Sequence, residues 1–191
     1  MQYKNTVYSY GLISISLHWL IALMVIAIFF IGWYMVQLDY YSAWYTTAPW
    51  LHKGLGLSAL LLFAIRYVWI KYSNKPQALQ NYRTIEHVLS RLMHAMFYLV
   101  IFVLSLSGYL ISGASGAAVE LFDLAMLPSL MELHESTVDV LGDAHEWAAY
   151  LLMLMMVLHG LAALKHHFID RDVTLKRILK PGLMEDKNEI I

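Results

Sequence analysis

The sequence contains no cysteine. That excludes disulfides, thiolate-ligated haem, cysteine-held iron–sulfur clusters and covalent c-type haem attachment, and it leaves the compartment undefined by redox chemistry. Charge is scarce too. Only 14% of the 191 residues are charged and 60% are hydrophobic, where an average soluble domain has about 25% and roughly 45–50%. Lys and Arg are missing altogether from 37–52 and from 92–164. A chain this apolar, with its charges confined to the ends and some connections, reads as a membrane protein with little room for a soluble domain.

Four apolar stretches are present, at approximately 12–36, 50–70, 92–112 and 145–165. Each approaches or exceeds the roughly 20 residues a helix needs to cross a bilayer. Helices are expected because every backbone polar group must be paired inside the hydrocarbon. The reading is an all-α, integral membrane four-helix bundle, one domain over 1–191. The first stretch is longer than the about 7–15 residues of a signal-peptide core, so it is read as a retained span. Tyr40, Tyr41, Trp44 and Tyr45 in the first connection suit the membrane–water interface. The 114–144 connection carries Glu120, Asp123, Glu132, Glu135, Asp139 and Asp143, and a short surface helix is expected there.

Eleven of the thirteen basic residues lie in the head, the second connection and the tail: Lys4, Lys71, Lys75, Arg83, Arg91, Lys165, Arg171, Lys176, Arg177, Lys180 and Lys187. The positive-inside rule then puts both termini in the cytoplasm. Lys53 and Arg66 stand outside the pattern and need another reason.

Histidines supply the chemistry. His145 and His159 are fourteen residues apart in the fourth span, nearly four helical turns, so both face almost the same way about 21 Å apart along the axis. His18 lies near the inner start of span 1, at the depth of His159. His52 lies near the outer start of span 2, at the depth of His145. Each level therefore has two imidazoles on different helices, as bis-imidazole ligation of haem iron requires, and a saturated iron favours electron transfer over oxygen binding. Two b-type haems stacked across the bilayer are expected, with His18/His159 as the inner pair and His52/His145 as the outer. A single intramembrane histidine can instead bond a neighbouring helix; four at two matched depths favour ligation. His94 lies close in depth to the inner pair, which leaves other pairings open, while His87 and His134 read as interfacial or solvated.

Gly32, Gly54, Gly56 and Gly108 would open gaps for a macrocycle, although membrane helices also use glycine for close packing. Arg66, fourteen residues after His52, should reach the inner level. There it either pairs a haem propionate bidentately or snorkels to the headgroups. Lys53 has the same choice at the outer level.

Ser16-Leu17-His18-Trp19-Leu20, Trp50-Leu51-His52-Lys53-Gly54, His145 with Leu158-His159-Gly160, His166-His167-Phe168, and His94-Ala95-Met96-Phe97-Tyr98 through Gly108 together resemble bacterial cytochrome b561 over nearly the whole chain. The resemblance implies a four-helix, multi-pass protein of the bacterial inner membrane, in contact with lipid. It implies two b haems on the same two histidine pairs, and electron exchange with ubiquinone. One member type takes electrons from superoxide outside. The acidic outer connections argue against an anionic donor and suit a basic redox protein equally well. Ubiquinone reduction is expected at the inner level near His166, two turns beyond His159, with His94 or Arg91 nearby. No other catalytic residue is assigned and no nucleic-acid partner is expected. Two alternatives remain open on the sequence: a cytochrome b anchor subunit of a dehydrogenase or hydrogenase, and a haem-free membrane module handling protons or metal.

Overall fold

A computed structural model describes residues 2–77 and 84–183. Arg83 and Lys187, which contributed to the charge asymmetry, lie outside the described residues. The elements run α1 (Leu12–Met35), α2 (Thr47–Tyr72), α3 (Thr84–Ser112), β1 (Val119–Leu121), β2 (Ala125–Leu127), α4 (Glu135–Phe168) and α5 (Thr174–Leu179). The four long helices have 24, 26, 29 and 34 residues and the apolar composition of membrane spans. The protein leaves much apolar surface exposed while burying several polar groups. Leu23, Phe30, Leu61, Phe102 and Val157 are exposed, whereas Asn5, Ser9, Ser14, Ser107 and Arg177 are buried. Lipid solvates the apolar outer faces, and the polar groups find partners inside.

The chain divides into two units, and each long helix contributes a stretch to both. The first unit comprises Met1–Ile21, Leu62–Met96 and Leu154–Ile191. In it, the head, the second connection and the tail are tied together by polar groups. Asn5 Oδ1 accepts from the Gly11 amide at 2.9 Å and from Ser14 Oγ at 2.7 Å. Asn5 and Asn74 exchange side-chain to carbonyl bonds at 3.1 and 3.4 Å. The buried Arg177 guanidinium donates to the Tyr8 carbonyl at 2.7 Å and the Gln77 carbonyl at 3.0 Å. Trp19 Nε1 donates to the Ile178 carbonyl at 2.9 Å, which fastens α5 beside His18. A buried charge needs such partners, because a lone one is strongly disfavoured.

The second unit comprises Ala22–Leu61 and Phe97–Met153. Its 114–144 connection does not hold a separate surface helix. It forms an antiparallel hairpin pairing Val119 with Leu127 and Leu121 with Ala125, and its last ten residues are the first three turns of α4. The turn places Phe122 and Asp123 at φ 47° and 58°, with the Leu124 amide bonded to the Leu121 carbonyl. Positive φ at both central residues is the hairpin-turn geometry that normally selects Asn-Gly. Phe122 adopts it because its ring packs against Trp50, 5.2 Å between centres, and fills the space over Gly54. A Cβ on Gly54 would approach the Phe122 ring to 2.5 Å. Gly54 thus serves the hairpin rather than opening a gap for a cofactor.

Candidate functional site

In the second unit, the His52 and His145 rings face each other with centres 6.1 Å apart and planes at 67°. His52 comes from the second turn of α2, and Pro49 sits in the first turn, where proline is tolerated because its missing amide hydrogen would have had no helical acceptor. His145 comes from α4. Each ring has one nitrogen tied down: His52 Nδ1 lies 3.0 Å from the Ile28 carbonyl of α1 and His145 Nδ1 lies 2.9 Å from Ser107 Oγ of α3. That leaves Nε2 of each ring as the atom for a ligand. Holding the far nitrogen by a hydrogen bond is how proteins usually orient a metal-binding imidazole.

The rings open onto a cavity of about 480 Å³ lined by α1, α2, α3 and α4 residues, among them Gly32, Lys53, Gly56 and Gly108. This is within the roughly 300–1,000 Å³ typical of cofactor sites. The glycines have specific reasons. A Cβ on Gly32 would stand 2.8 Å from His52 Cε1, and one on Gly108 would stand 3.1 Å from His145 Cε1. Gly56 faces open space. The Lys53 side chain lines the same cavity and is the cation nearest to hand for an acidic substituent there.

In the first unit, the His18 and His159 rings are 6.4 Å apart with planes at 61°. His94 lies beside this pair, 5.6 Å from His159 at 85°, and its own Nδ1 faces the Ser90 carbonyl at 2.6 Å. The Trp19 indole packs edge-on against His18, 5.4 Å away. Arg66 Nη1 donates to the Ser14 carbonyl at 3.1 Å, one helical turn before His18. The guanidinium is therefore held inside the unit at the His18 level and is half-buried.

Further along α4, His166 Nδ1 lies 2.8 Å from Asp170 and 3.2 Å from Asp172. Lys165 bridges Glu86 at 2.8 Å and Asp170 at 2.7 Å. Glu86, His166 and Asp170 could hold a metal ion by their spacing, but the Lys165 ammonium already stands between the two carboxylates. Arg91 is exposed and donates to the His87 carbonyl at 3.4 Å. The sequence reading did not single out Ser107, Trp19, Glu86, Asp170 or Asp172. The signals present were a serine in an apolar span one residue before a glycine, and a tryptophan next to His18.

The spacing of the two pairs can be tested against the group they would hold. Imidazole nitrogens bind first-row metals at about 2.0–2.1 Å, so two opposed ligands place their ring centres a little over 6 Å apart. Both pairs meet that spacing, and neutral imidazoles on a central iron are the usual b-type donor set. The residues fit haem.

A family model described as prokaryotic cytochrome b561 matches residues 9–181. The chain is 40% identical over 179 residues to "Cytochrome b561 homolog 2" of Escherichia coli (strain K12), covering 94% of this chain and 95% of that protein. It is 28% identical over 174 residues to "Probable superoxide oxidase CybB" of Yersinia pestis, covering 89% and 95%. A family of haem cytochromes displaces the haem-free alternative. The chain belongs to the prokaryotic cytochrome b561 family and is a multi-pass electron-transfer protein of the bacterial inner membrane that carries b-type haem.

Proposed function

We propose that the chain, as one membrane domain with both termini cytoplasmic, holds two haems and passes single electrons from a donor on the outer face to ubiquinone. His52 and His145 are the outer axial ligands and His18 and His159 the inner ones. The observation that carries this reading is the pair of imidazole spacings, 6.1 and 6.4 Å, each between different helices. Bound haem b supplies a one-electron carrier at each level. The protein supplies the ligands, the apolar enclosure and countercharge, for which Lys53 at the outer level and Arg66 at the inner level are the residues in reach.

Ubiquinone takes two electrons and two protons to become ubiquinol, so its site needs a proton source. His166 with Asp170 and Asp172 supports a relay at the inner end, since imidazole is the side chain that exchanges protons near neutral pH. His94, against His159, and Arg91 are the neighbours that would face the quinone. His166→Ala should keep both haems yet slow oxidation of the reduced protein by a soluble ubiquinone by about 10²-fold, the low end of general acid–base effects. Stopped-flow spectroscopy over a pH series measures this. A wild-type rate at every pH would place the quinone elsewhere.

The name of the Yersinia relative makes superoxide one candidate donor. The outer connections favour another. Asp39, Glu120, Asp123, Glu132, Glu135, Asp139 and Asp143 are all exposed there, without a Lys or Arg in those connections. This field repels an anion and attracts a cationic redox protein. Reduction by a basic, reduced cytochrome c should fall at least about tenfold as ionic strength rises and screening shortens from about 30 Å at 0.01 M to 3 Å at 1 M. Reduction by enzymatically generated superoxide should rise over the same range. A fast superoxide reaction that falls with salt would restore superoxide as the donor.

A further inference from the structure

Ser107 is 5% exposed, towards the C-terminal end of α3, and its Oγ lies within hydrogen-bond distance of three groups. The Val103 carbonyl is at 2.8 Å, the Leu104 carbonyl at 3.1 Å and His145 Nδ1 at 2.9 Å. The Leu104 carbonyl also faces His145. A serine in a membrane helix commonly bonds back to its own i−4 carbonyl, which accounts for the first contact alone. The third contact reaches another helix. Gly108 makes it possible, because a Cβ there would already stand 3.1 Å from the His145 ring.

The protons can be assigned. A neutral imidazole that gives Nε2 to iron carries its hydrogen on Nδ1. The Nδ1–H therefore donates, and Ser107 Oγ at 2.9 Å accepts it beside the Leu104 carbonyl. The single hydroxyl hydrogen is left for the nearer carbonyl, that of Val103. The result is a closed series from imidazole to hydroxyl to peptide oxygen with every donor matched. Such series polarise one another in a low-dielectric interior. His52 Nδ1 is held by a backbone carbonyl, whereas His145 Nδ1 has a side-chain hydroxyl within reach in addition to the Leu104 carbonyl.

We propose that Ser107 is a positioning residue for His145: it holds the ring with Nε2 toward the cavity and, by accepting the Nδ1–H, raises the basicity of this ligand. This rests on the reading of His145 as an axial ligand. A more basic imidazole favours ferric over ferrous iron, so the serine lowers the potential of the haem held by the His52/His145 pair. The hydroxyl is thus a side-chain control on one haem and not on the other.

The test uses the full-length protein in detergent or nanodiscs, with Ser107→Ala and Ser107→Thr. Redox titration of the α-band and low-spin electron paramagnetic resonance read each haem separately. In Ser107→Ala the outer haem should titrate at a more positive potential with shifted g-values, and its transfer to apomyoglobin should be about tenfold more favourable, the lower end of second-shell effects on metal affinity. The inner haem should keep wild-type values, which also reports that the variant is folded. Ser107→Thr should restore the outer values. Wild-type potentials and g-values for both haems in Ser107→Ala would overturn the proposal and leave the serine bonded only to its own helix. If His145→Ala retains both haems, the ligand reading itself fails and the proposal with it.

Discussion

Replacing His52 or His145 by alanine should leave one haem per chain where two are proposed for the wild type. The two rings stand 6.1 Å apart and are the imidazoles at that cavity. Removing either leaves iron with a single axial imidazole in this cavity. The pair in the first unit is separate, so its haem should remain with an unchanged spectrum. His159→Ala should give the converse result. His18→Ala is the less clean variant, because His94 lies 5.6 Å from His159, close enough for its imidazole to replace the lost ligand. His94→Ala in the otherwise native protein should therefore keep both haems, and the double variant with His18→Ala should lose the inner one. Pyridine haemochrome counting against protein concentration decides each case. Full haem content in a single His52, His145 or His159 variant would sink that ligand assignment.

The spans were legible because hydrophobicity defines the slab of membrane. Helix ends were less so. The third apolar stretch begins near 92 and the fourth near 145, yet α3 starts at Thr84 and α4 at Glu135. Both helices begin in more polar segments that weaken the hydropathy signal. Lys165 reaches from α4 to Glu86 in the early part of α3, a contact sequence spacing cannot reveal. The hairpin was hidden for another reason. Its turn is Phe122-Asp123, without the Asn-Gly pair that marks such turns, and tertiary packing of Phe122 over Gly54 imposes the conformation.

At the site, depth along each helix put His52 at the level of His145 and both His18 and His94 near that of His159, since helical rise is fixed, which left the inner pairing open; the rings of His18 and His94 both lie beside that of His159. What depth could not supply was the grip on each ring. That comes from the Ile28 carbonyl and from Ser107, one a backbone atom and the other a common residue type. Gly32 and Gly108 were visible as glycines at the outer level, and their contacts with the two imidazoles give them a steric reason. Gly54, equally prominent in sequence, packs elsewhere.

Gly32 carries the second large expected effect. An added Cβ would stand 2.8 Å from His52 Cε1 and 3.1 Å from Nδ1, closer than the ring can tolerate without moving. The ring is not free to move cheaply, because its Nδ1 is bonded to the Ile28 carbonyl at 3.0 Å, one turn before Gly32 on the same helix. Gly32→Ala should thus displace the imidazole and weaken outer-haem binding by about 10–100-fold, as disturbing an outer-shell hydrogen bond does. Gly32→Leu also projects into the cavity and should abolish the outer haem. Neither loss comes from the helix itself, since alanine in a helix interior is better than glycine by roughly 0.5–1 kcal/mol. The thermal stability of the variant without haem should then be unchanged or slightly higher than that of similarly haem-depleted wild type. Gly160→Ala, at a position where a Cβ meets open space, is the matched control and should keep both haems. Optical titration with haemin of protein made under haem limitation gives the affinities. Equal outer-haem affinity in Gly32→Ala and Gly160→Ala would show that His52 is held less tightly than its contacts with α1 require.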